Sequence, residues 1–385
     1  MPRWDVHFEF RLDADAPEVV RLLERAHALA SVILAIPIPA PAADRIHALN
    51  IMRAVRGTTG IEGAELSEAE AQEIIATPRE QTVLPATRSR EEQEARNAHA
   101  LMLFVAEALR AKPGLSLTET LICEIHDQIT RGIDYPRNIP GHYRTHSVSA
   151  GSYIPPPSSD VPRLMGEFVR WFNDGPPSNW DLIIQALVAH FYVVSIHPFG
   201  DGNGRTARGV ESLLLFKGMV NARGFYSLAN YYYQHREEYV QHLDHVRFES
   251  GGDLMPFVLF GLRGLVAELQ AVHNEVLQEV RRLAYRDYAR SLLMADTSLS
   301  APRRGRLILL AQMLVDDAIS TDALLSGRAD TGRLYRRLSE KTLVRDLAYL
   351  AQYGLVMVHR GQVSANMAVM DQFTPPHELL DRETA

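Results

Sequence analysis

Along most of the chain, apolar residues recur at three- and four-residue intervals, the spacing of one face of a helix. The pattern predicts helices over about 16–35, 43–56, 67–76, 90–111, 117–131, 161–173, 180–196, 203–219, 235–248 and 253–294. Pro37, Pro39 and Pro41 close the first of these, and Ser67 with Glu70 reads as a capping box for the third. Gly57, Gly60 and Gly63 interrupt the periodicity between the second and third. Between Pro136 and Pro157 the helical spacing gives way, and Val148, Tyr153 and Ile154 flank a Gly151-Ser152 turn that suits a short hairpin. The far half of 253–294 carries Arg281, Arg282, Arg286 and Asp287 and reads as a solvated connector, followed by a linker over 296–302. Beyond it, three short helical stretches end in Ser339 to Tyr353, with Gly354 just past the helix end. Two β-rich runs, LVMVHR and NMAVM, then stand around Gly361. Helix-helix-helix-hairpin is a winged-helix order. The expected fold is therefore mainly α, a helical bundle with a short β-hairpin and a C-terminal winged-helix-like domain.

Composition narrows the chemistry. The chain has 385 residues and a formal net charge of −7, and 46% of its residues are hydrophobic, as in ordinary globular proteins. Cys123 is the single cysteine, which excludes an internal disulfide framework and any multi-cysteine zinc site. Lys112, Lys217 and Lys341 are the only lysines, and none follows a glycine-rich loop, so a Walker-type phosphate loop is absent. The most apolar stretch, Leu182 to Ile196, contains Gln185, His190 and Ser195 and falls short of the about 20 residues a bilayer needs. It reads as a buried core helix. The N-terminus lacks the basic-then-apolar order of a signal peptide, and the expected location is cytoplasmic, without membrane contact.

One segment concentrates the chemistry: His197 to Arg208, HPFGDGNGRTAR, between two apolar helices. Gly202-Asn203-Gly204 can turn successive N–H groups inward as a nest at a helix N-terminus, an anion cradle that needs no lysine. Arg205 and Arg208 lie three apart, on one face near the start of that helix, and suit a polyphosphate. Asp201 beside such an anion makes sense when Mg²⁺ bridges the two. His197, titrating near neutrality, can take a proton from an attacking hydroxyl. Pro198 and Phe199 fix the loop, with Phe199 as its buried anchor.

The run matches, at every specified position, the signature His-Pro-Phe-x-Asp/Glu-Gly-Asn-Gly-Arg-x-x-Arg, and the chain thereby resembles the Fic family. Most Fic proteins transfer AMP from ATP to a Ser, Thr or Tyr hydroxyl of a target protein. The resemblance implies His197 as general base and Asp201 as the Mg²⁺ ligand. It places ATP against the loop from Gly202 through Asn203, Gly204, Arg205, Thr206 and Ala207 to Arg208. Residues 141–173 resemble the family's flap and following helix. Val148, Ser149, Ala150 and Gly151 would line the nucleotide, and the flap over 147–155 would dock the target protein as an added strand. YYYQHREEYVQHL resembles the family's post-motif helix, with Tyr239 as an adenine contact.

Thr58 to Gly63, TTGIEG, fits the family's inhibitory pattern Ser/Thr-x-x-x-Glu-Gly/Asn and lies upstream of the core, where the class with an N-terminal inhibitory helix carries it. Glu62 would pair with Arg208, fill the place of the γ-phosphate and leave ATP misaligned for in-line attack. The resulting organisation is an N-terminal helical region with the inhibitory motif (1–89), a Fic core (90–252), a connecting helix and linker (253–300) and a winged-helix-like domain (301–385). The expected activity is that of a self-inhibited protein adenylyltransferase using ATP and Mg²⁺. Two other readings stand beside it: a Glu62-dependent enzyme that removes AMP with the same site, and a winged-helix DNA-binding regulator whose Fic domain senses nucleotide. Arg333, Arg336, Arg337, Lys341 and Arg345 could face DNA, but residues 301–385 hold 11 Lys+Arg against 10 Asp+Glu. An interaction or homodimer module is the better expectation for this domain.

Overall fold

The computed structural model describes residues 5–8, 11–151, 153–220, 227–326, 332–335 and 338–373. Ser152 of the flap, Arg336, Arg337 and the side chain of Arg333 lie outside the described residues. Two units divide the chain, Met1–Glu275 and Val276–Ala385.

In the first unit the periodic stretches are helices: α1 (Pro17–Ala35), α2 (Ala40–Ile61), α3 (Glu68–Ala76), α4 (Ser89–Ala111), α5 (Glu119–Thr130), α6 (Val161–Asp174), α7 (Leu182–Ile196), α8 (Asn203–Lys217), α9 (Leu228–Gln234) and α10 (Arg236–Asp244). A long helix, α11 (Met255–Ala295), begins in this unit and ends in the second. Local chemistry sets several of the ends. The Ser67 side chain accepts from Glu70 N, while the Glu70 carboxylate takes the Ser67 amide, so the capping box is present. Asp181 and Thr118 cap α7 and α5 in the simpler way. Pro41 sits in the first turn of α2, where its missing N–H costs nothing.

The central helix is α7. Every residue from Ile183 to Ile196 except Gln185 is buried, so it presents no polar face, and α8 packs directly against it. That pairing sets the geometry of the site, because the chain turns from one helix to the other through His197 to Gly202. α11 is, among the described residues, the one helix long and apolar enough to cross a membrane; 61% of its apolar window is buried in the protein, as in a core helix.

Two elements depart from the expected pattern. α2 runs unbroken through Gly57 and Gly60 to Ile61. The glycines are there for packing: a Cβ on Gly57 would come within 2.7 Å of the Ala229 carbonyl, and one on Gly60 within 2.4 Å of the Tyr233 ring. The helix expected over 235–248 is α10 continued by a π-type turn at His245–Glu249, with a separate short helix, α9, before it.

The second unit contains α12 (Ala301–Met313), β1 (Ile319–Ser320), α13 (Thr321–Ser326), α14 (Gly332–Tyr335), α15 (Glu340–Gln352), β2 (Val356–His359) and β3 (Gln362–Ala365). The antiparallel sheet runs in the order β1-β3-β2. Its second hairpin strand is Gln362–Ala365; the NMAVM run belongs to a 3₁₀ helix, Met367–Phe373. Arg360 and Gly361 both have positive φ, 48° and 77°, which makes a two-residue hairpin turn and pairs His359 with Gln362 at once. The far half of α11, expected as a solvated connector, instead gives Tyr285, Ala289 and Leu293 to this unit's core beside Leu307, Leu310 and Leu350. Its charged residues lie to the side: Arg286 pairs with Asp316 at 2.7 Å, and Arg281 with Asp371 at 2.5 Å.

Candidate functional site

α7 stops at His197 because that residue turns left-handed, φ 52°, while its amide still bonds Val193 O at 3.1 Å. The imidazole Nδ1 lies 3.1 Å from Val194 O. A carbonyl only accepts, so Nδ1 carries the proton and Nε2 keeps its lone pair. Burial pulls this histidine down to about 4, and its backbone bond to Val194 only partly opposes that. The ring is therefore neutral at pH 7.

The loop that follows is braced from within and without. Asn203 Oδ1 accepts from Phe199 N at 2.8 Å, and its Nδ2 donates to Phe199 O at 2.9 Å, so this side chain closes the loop on itself. Phe199 is fully buried and stacks on the His126 ring, centroids 3.7 Å apart and planes within 2°. His126 Nδ1 accepts from Gly141 N at 2.9 Å, which leaves Nε2–H to donate to Asp201 O at 3.0 Å. Asn138 Oδ1 takes the Asp201 amide at 3.1 Å. Arg144 holds the other side: its Nε donates to His197 O at 2.8 Å and its Nη2 to Pro156 O at 2.5 Å. Gly202 has φ 73°, and a Cβ there would come within 2.8 Å of Thr130 Cγ2. α8 starts immediately after it, so its first-turn amides face the loop without intrahelical acceptors.

The two arginines of the motif diverge. Arg205 is 2% exposed; its Nη1 pairs with Glu94 Oε1 at 3.2 Å and its Nη2 reaches Asp201 Oδ1 at 3.4 Å. Its Nε is buried with no hydrogen-bond acceptor among the described residues, and Nη1 has Glu94 as an ion pair short of hydrogen-bond geometry. Arg208 turns to α2: its Nε donates to Thr58 Oγ1 at 2.9 Å, and its Nη2 donates to Thr58 O at 3.1 Å and to Glu62 Oε1 at 2.6 Å. The Glu62 carboxylate lies over Gly204, where any Cβ would be well inside 3.0 Å of Oε1. Burial raises the affinity of Glu62 for a proton, but Arg208 and then Arg205 outweigh it and hold the group below the usual carboxylate range.

A cleft of about 560 Å³ opens beside these groups, within the range of nucleotide-sized ligand sites. Glu62, His197, Gly204, Arg208 and Tyr239 line it, with Ala150 and Gly151 from the flap. Arg236 and Arg247 add positive charge to the wall. Arg236 Nε also donates to Ile61 O at 3.1 Å, and Arg247 Nε to Ser195 Oγ at 3.1 Å. The flap is a single tight turn: Ala150 and Tyr153 exchange two 3.0 Å backbone bonds around Gly151, φ 60°. Tyr153 OH donates to Ser195 O at 2.7 Å and so ties the return strand to α7.

Some expected nucleotide contacts are placed elsewhere. Val148 and Ser149 stand on the approach to the flap turn, outside the cleft wall. The side chains of Thr206 and Ala207 are fully buried, and Thr206 Oγ1 donates back to Gly202 O. Tyr239 lines the cleft, yet its hydroxyl is spent on His190 Nε2 at 2.8 Å, in a buried network with Glu211 and Tyr232. Sequence reasoning missed the braces His126, Asn138, Arg144 and Glu94. For His126 a signal existed: it is a polar residue on the same apolar stripe as Ile122, Ile125 and Ile129.

The carboxylate placed to hold a metal is that of Asp201. Its side chain is 40% exposed; Oδ1 takes the Gly202 amide at 2.5 Å, and Oδ2 has only Arg90 at 3.9 Å. Among the described residues no group of three or more His, Cys, Asp or Glu could enclose a metal. One carboxylate with open lone pairs fits Mg²⁺, which keeps waters and shares its coordination with substrate phosphates.

Residues 116–215 match the family model described as the Fic/DOC family. The "Protein adenylyltransferase Fic" proteins of Aedes aegypti and Drosophila melanogaster are each 30% identical over 203 residues, 53% of this chain. The match spans 38% of the length of those relatives. Among solved structures, Fic-1 (residues 134–508) from C. elegans is 27% identical, covering 67% of this chain and 72% of that one, with a TM-score of 0.54. A Fic family protein from Desulfovibrio desulfuricans G20 shares the fold over 91% of this chain and 96% of its own, with a TM-score of 0.56 at 19% identity. The HPFGDGNGRTAR loop between α7 and α8 lies inside this matched segment, so residues 116–215 form a segment similar to the Fic/DOC family.

Proposed function

We propose that this protein is a self-inhibited protein adenylyltransferase, which moves AMP from ATP to a Ser, Thr or Tyr hydroxyl of a target protein. The observation that carries the reading is the placement of Glu62: its carboxylate sits on Arg208 and over Gly204, at the mouth of the anion cradle.

With ATP in the cleft, the first-turn amides of α8 supply hydrogen-bond donors for phosphate oxygens, and Arg205 Nε, buried without an acceptor among the described residues, is a further donor on the same turn. Asp201 would hold Mg²⁺ against the phosphates, and that ion would neutralise charge developing toward the diphosphate leaving group. The neutral His197, with its Nδ1 proton fixed on Val194 O, accepts the target hydroxyl proton at Nε2. The hydroxyl oxygen bonds to the α-phosphorus as the bond to diphosphate breaks. The target backbone enters along the 147–155 turn, which Tyr153 holds in place from below.

While Glu62 occupies Arg208, that guanidinium is unavailable to the γ-phosphate, and the nucleotide lies out of line for attack. A second reading uses the same carboxylate: Glu62 and His197 line one cleft, where a glutamate-held water could hydrolyse AMP from a modified protein. Over residues 301–385, 11 Lys+Arg stand against 10 Asp+Glu, which suits an interaction module better than a DNA-reading helix.

The test compares wild type, Glu62→Gly and His197→Ala with Mg-ATP, reading AMP addition by mass spectrometry. Addition in Glu62→Gly, little in wild type and none in His197→Ala is expected. No gain in the Glu62 variant sinks the inhibition, and removal of AMP from pre-modified protein by wild type selects the hydrolytic reading.

A further inference from the structure

A second cavity, of about 150 Å³, lies behind the inhibitory helix, between α2, α4 and α8. Ile51, Val55, Leu101, Val105 and Phe216 make its walls apolar, and all but Phe216 are fully buried. A pocket of this volume with largely apolar walls takes a molecule the size of a benzene ring. Its mouth lies at Leu103 and Arg110, both exposed. Arg205 and Arg208 reach its lining, and among the described residues no Asp or Glu does. At the floor Arg208 is paired with Glu62, and Arg205 with Glu94 and Asp201, so the charge left open is that of Arg110 at the rim, and the cavity's chemistry selects an apolar body that carries one negative charge toward that rim.

The cavity is joined to the latch through shared residues. Arg208 lines both this cavity and the nucleotide cleft, and Thr58, which holds Arg208 by two hydrogen bonds, lines the cavity as well. Ile51, Ala54, Val55 and Thr58 all come from α2, so the cavity exists only while that helix is seated. A ligand that fills it binds the seated form alone and shifts the population toward it.

We propose that this cavity is a regulatory site for a small apolar carboxylate of about phenylacetate size, and that its occupation strengthens the hold of Glu62 on Arg208. The coupling to activity rests on the self-inhibition proposed above, whereas the binding does not.

Phenylacetate titrated into the full chain, followed by ligand-observed NMR, tests the site. Saturable one-to-one binding in roughly the millimolar range is expected for a ligand of this size. Benzyl alcohol should bind about tenfold more weakly, and so should phenylacetate to Arg110→Ala, as the loss of one charged contact implies. Ala98→Leu fills the interior and Ala106→Phe plugs the mouth. Either variant, if it melts cooperatively, should abolish binding, and Ala106→Phe at the partly exposed rim guards against a misfolded core variant. No saturable binding, or binding indifferent to both plugs, overturns the site. Equal binding of benzyl alcohol overturns the acid class.

Amide hydrogen exchange reads the coupling without catalysis: exchange at Thr58 to Ile61 should slow at least about threefold with ligand bound. Unchanged exchange overturns the coupling. In the activity arm, phenylacetate should lower the residual AMP transfer of wild type and leave Glu62→Gly unaffected; equal inhibition of both overturns the latch mechanism. Slowed exchange together with a Glu62→Gly variant that transfers no AMP would leave the site standing and remove the enzymatic reading instead.

Discussion

Arg208 and Thr58 are joined twice: the guanidinium Nε donates to Thr58 Oγ1 at 2.9 Å, and Nη2 donates to the Thr58 carbonyl at 3.1 Å. Thr58 and Glu62 are four residues apart on α2, so both meet Arg208 from one helix face. The threonine fixes the plane of the guanidinium, and the carboxylate then finds Nη2 at 2.6 Å. Thr58→Val keeps the shape and removes one acceptor from a charged donor. Such a bond is worth about 1.5–3 kcal/mol at most, and the carboxylate remains. Basal AMP transfer should therefore rise by at most about 10- to 150-fold, by the same free-energy scale, and stay below that of Glu62→Gly. Initial rates measured by mass spectrometry decide it; an unchanged Thr58→Val rate would show that the carboxylate holds Arg208 unaided.

His126 is a positioning residue. It stacks on Phe199 and donates to Asp201 O, so it sets where the Asp201 carboxylate stands without touching the cleft. His126→Phe preserves the ring stack and strands two polar groups, the Gly141 amide and the Asp201 carbonyl. Each unsatisfied buried group costs about 1–3 kcal/mol, so the melting temperature should fall by several degrees, at roughly 2–4 °C per kcal/mol in a unit of this size. In a Glu62→Gly background kcat should drop about tenfold or more, with the Mg²⁺ concentration for half-maximal rate raised. A lower melting temperature with kcat and Mg²⁺ dependence unchanged would assign His126 to stability alone.

The pH dependence follows from His197 and Glu62 together. His197 is held down to about 4, chiefly by burial, and needs its neutral form to accept a proton. For Glu62→Gly, kcat/KM should be level from pH 8 to about 5 and fall below that as the imidazole protonates. The Glu62 charge raises His197, so its removal moves the fall to still lower pH. Glu62 itself is depressed in the folded protein. Its contact with Arg208 is thus fully present above the ordinary carboxylate pKa and is lost as pH falls through the folded-state value. Acid should therefore not open the latch between pH 7 and 5. A wild-type rate rising between pH 7 and 5 would contradict this ordering.

The loop was legible because its chemistry is contiguous: twelve residues carry the proposed base, the proposed metal ligand, the nest and both arginines. What holds the loop was not. His126, Asn138, Arg144 and Glu94 lie some 50 to 110 positions away and reach it only through the packing of α5 and α4 on α8. The role of Asn203 was also hidden, since the sequence cannot tell a side chain that closes a loop from one that faces a ligand. Glycines misled in one place and guided in another. Gly57 and Gly60 looked like breaks because the surfaces they fit, on α9, were invisible in the sequence. Gly361, with Arg360 beside it, fixed the hairpin register that the apolar run NMAVM obscured.

Those two α2 glycines yield the sharpest contrast. A Cβ on Gly57 meets the backbone of Ala229 and Asn230 at 2.7–2.8 Å, which cannot step aside without moving α9. A Cβ on Gly60 meets the ring of Tyr233, a partly exposed side chain that can rotate away. Both substitutions should gain slightly in helix propensity, by roughly 1 kcal/mol. Gly57→Ala should lose more than that to overpacking, about 1–3 kcal/mol, and lift α2 from its seat. Its melting temperature should fall and its basal AMP transfer rise toward that of Glu62→Gly. Gly60→Ala should melt within a few degrees of wild type and stay inhibited. If the two variants prove equally active, the seating of α2 on α9 does not govern the latch, and the Arg208 contacts alone hold the enzyme off.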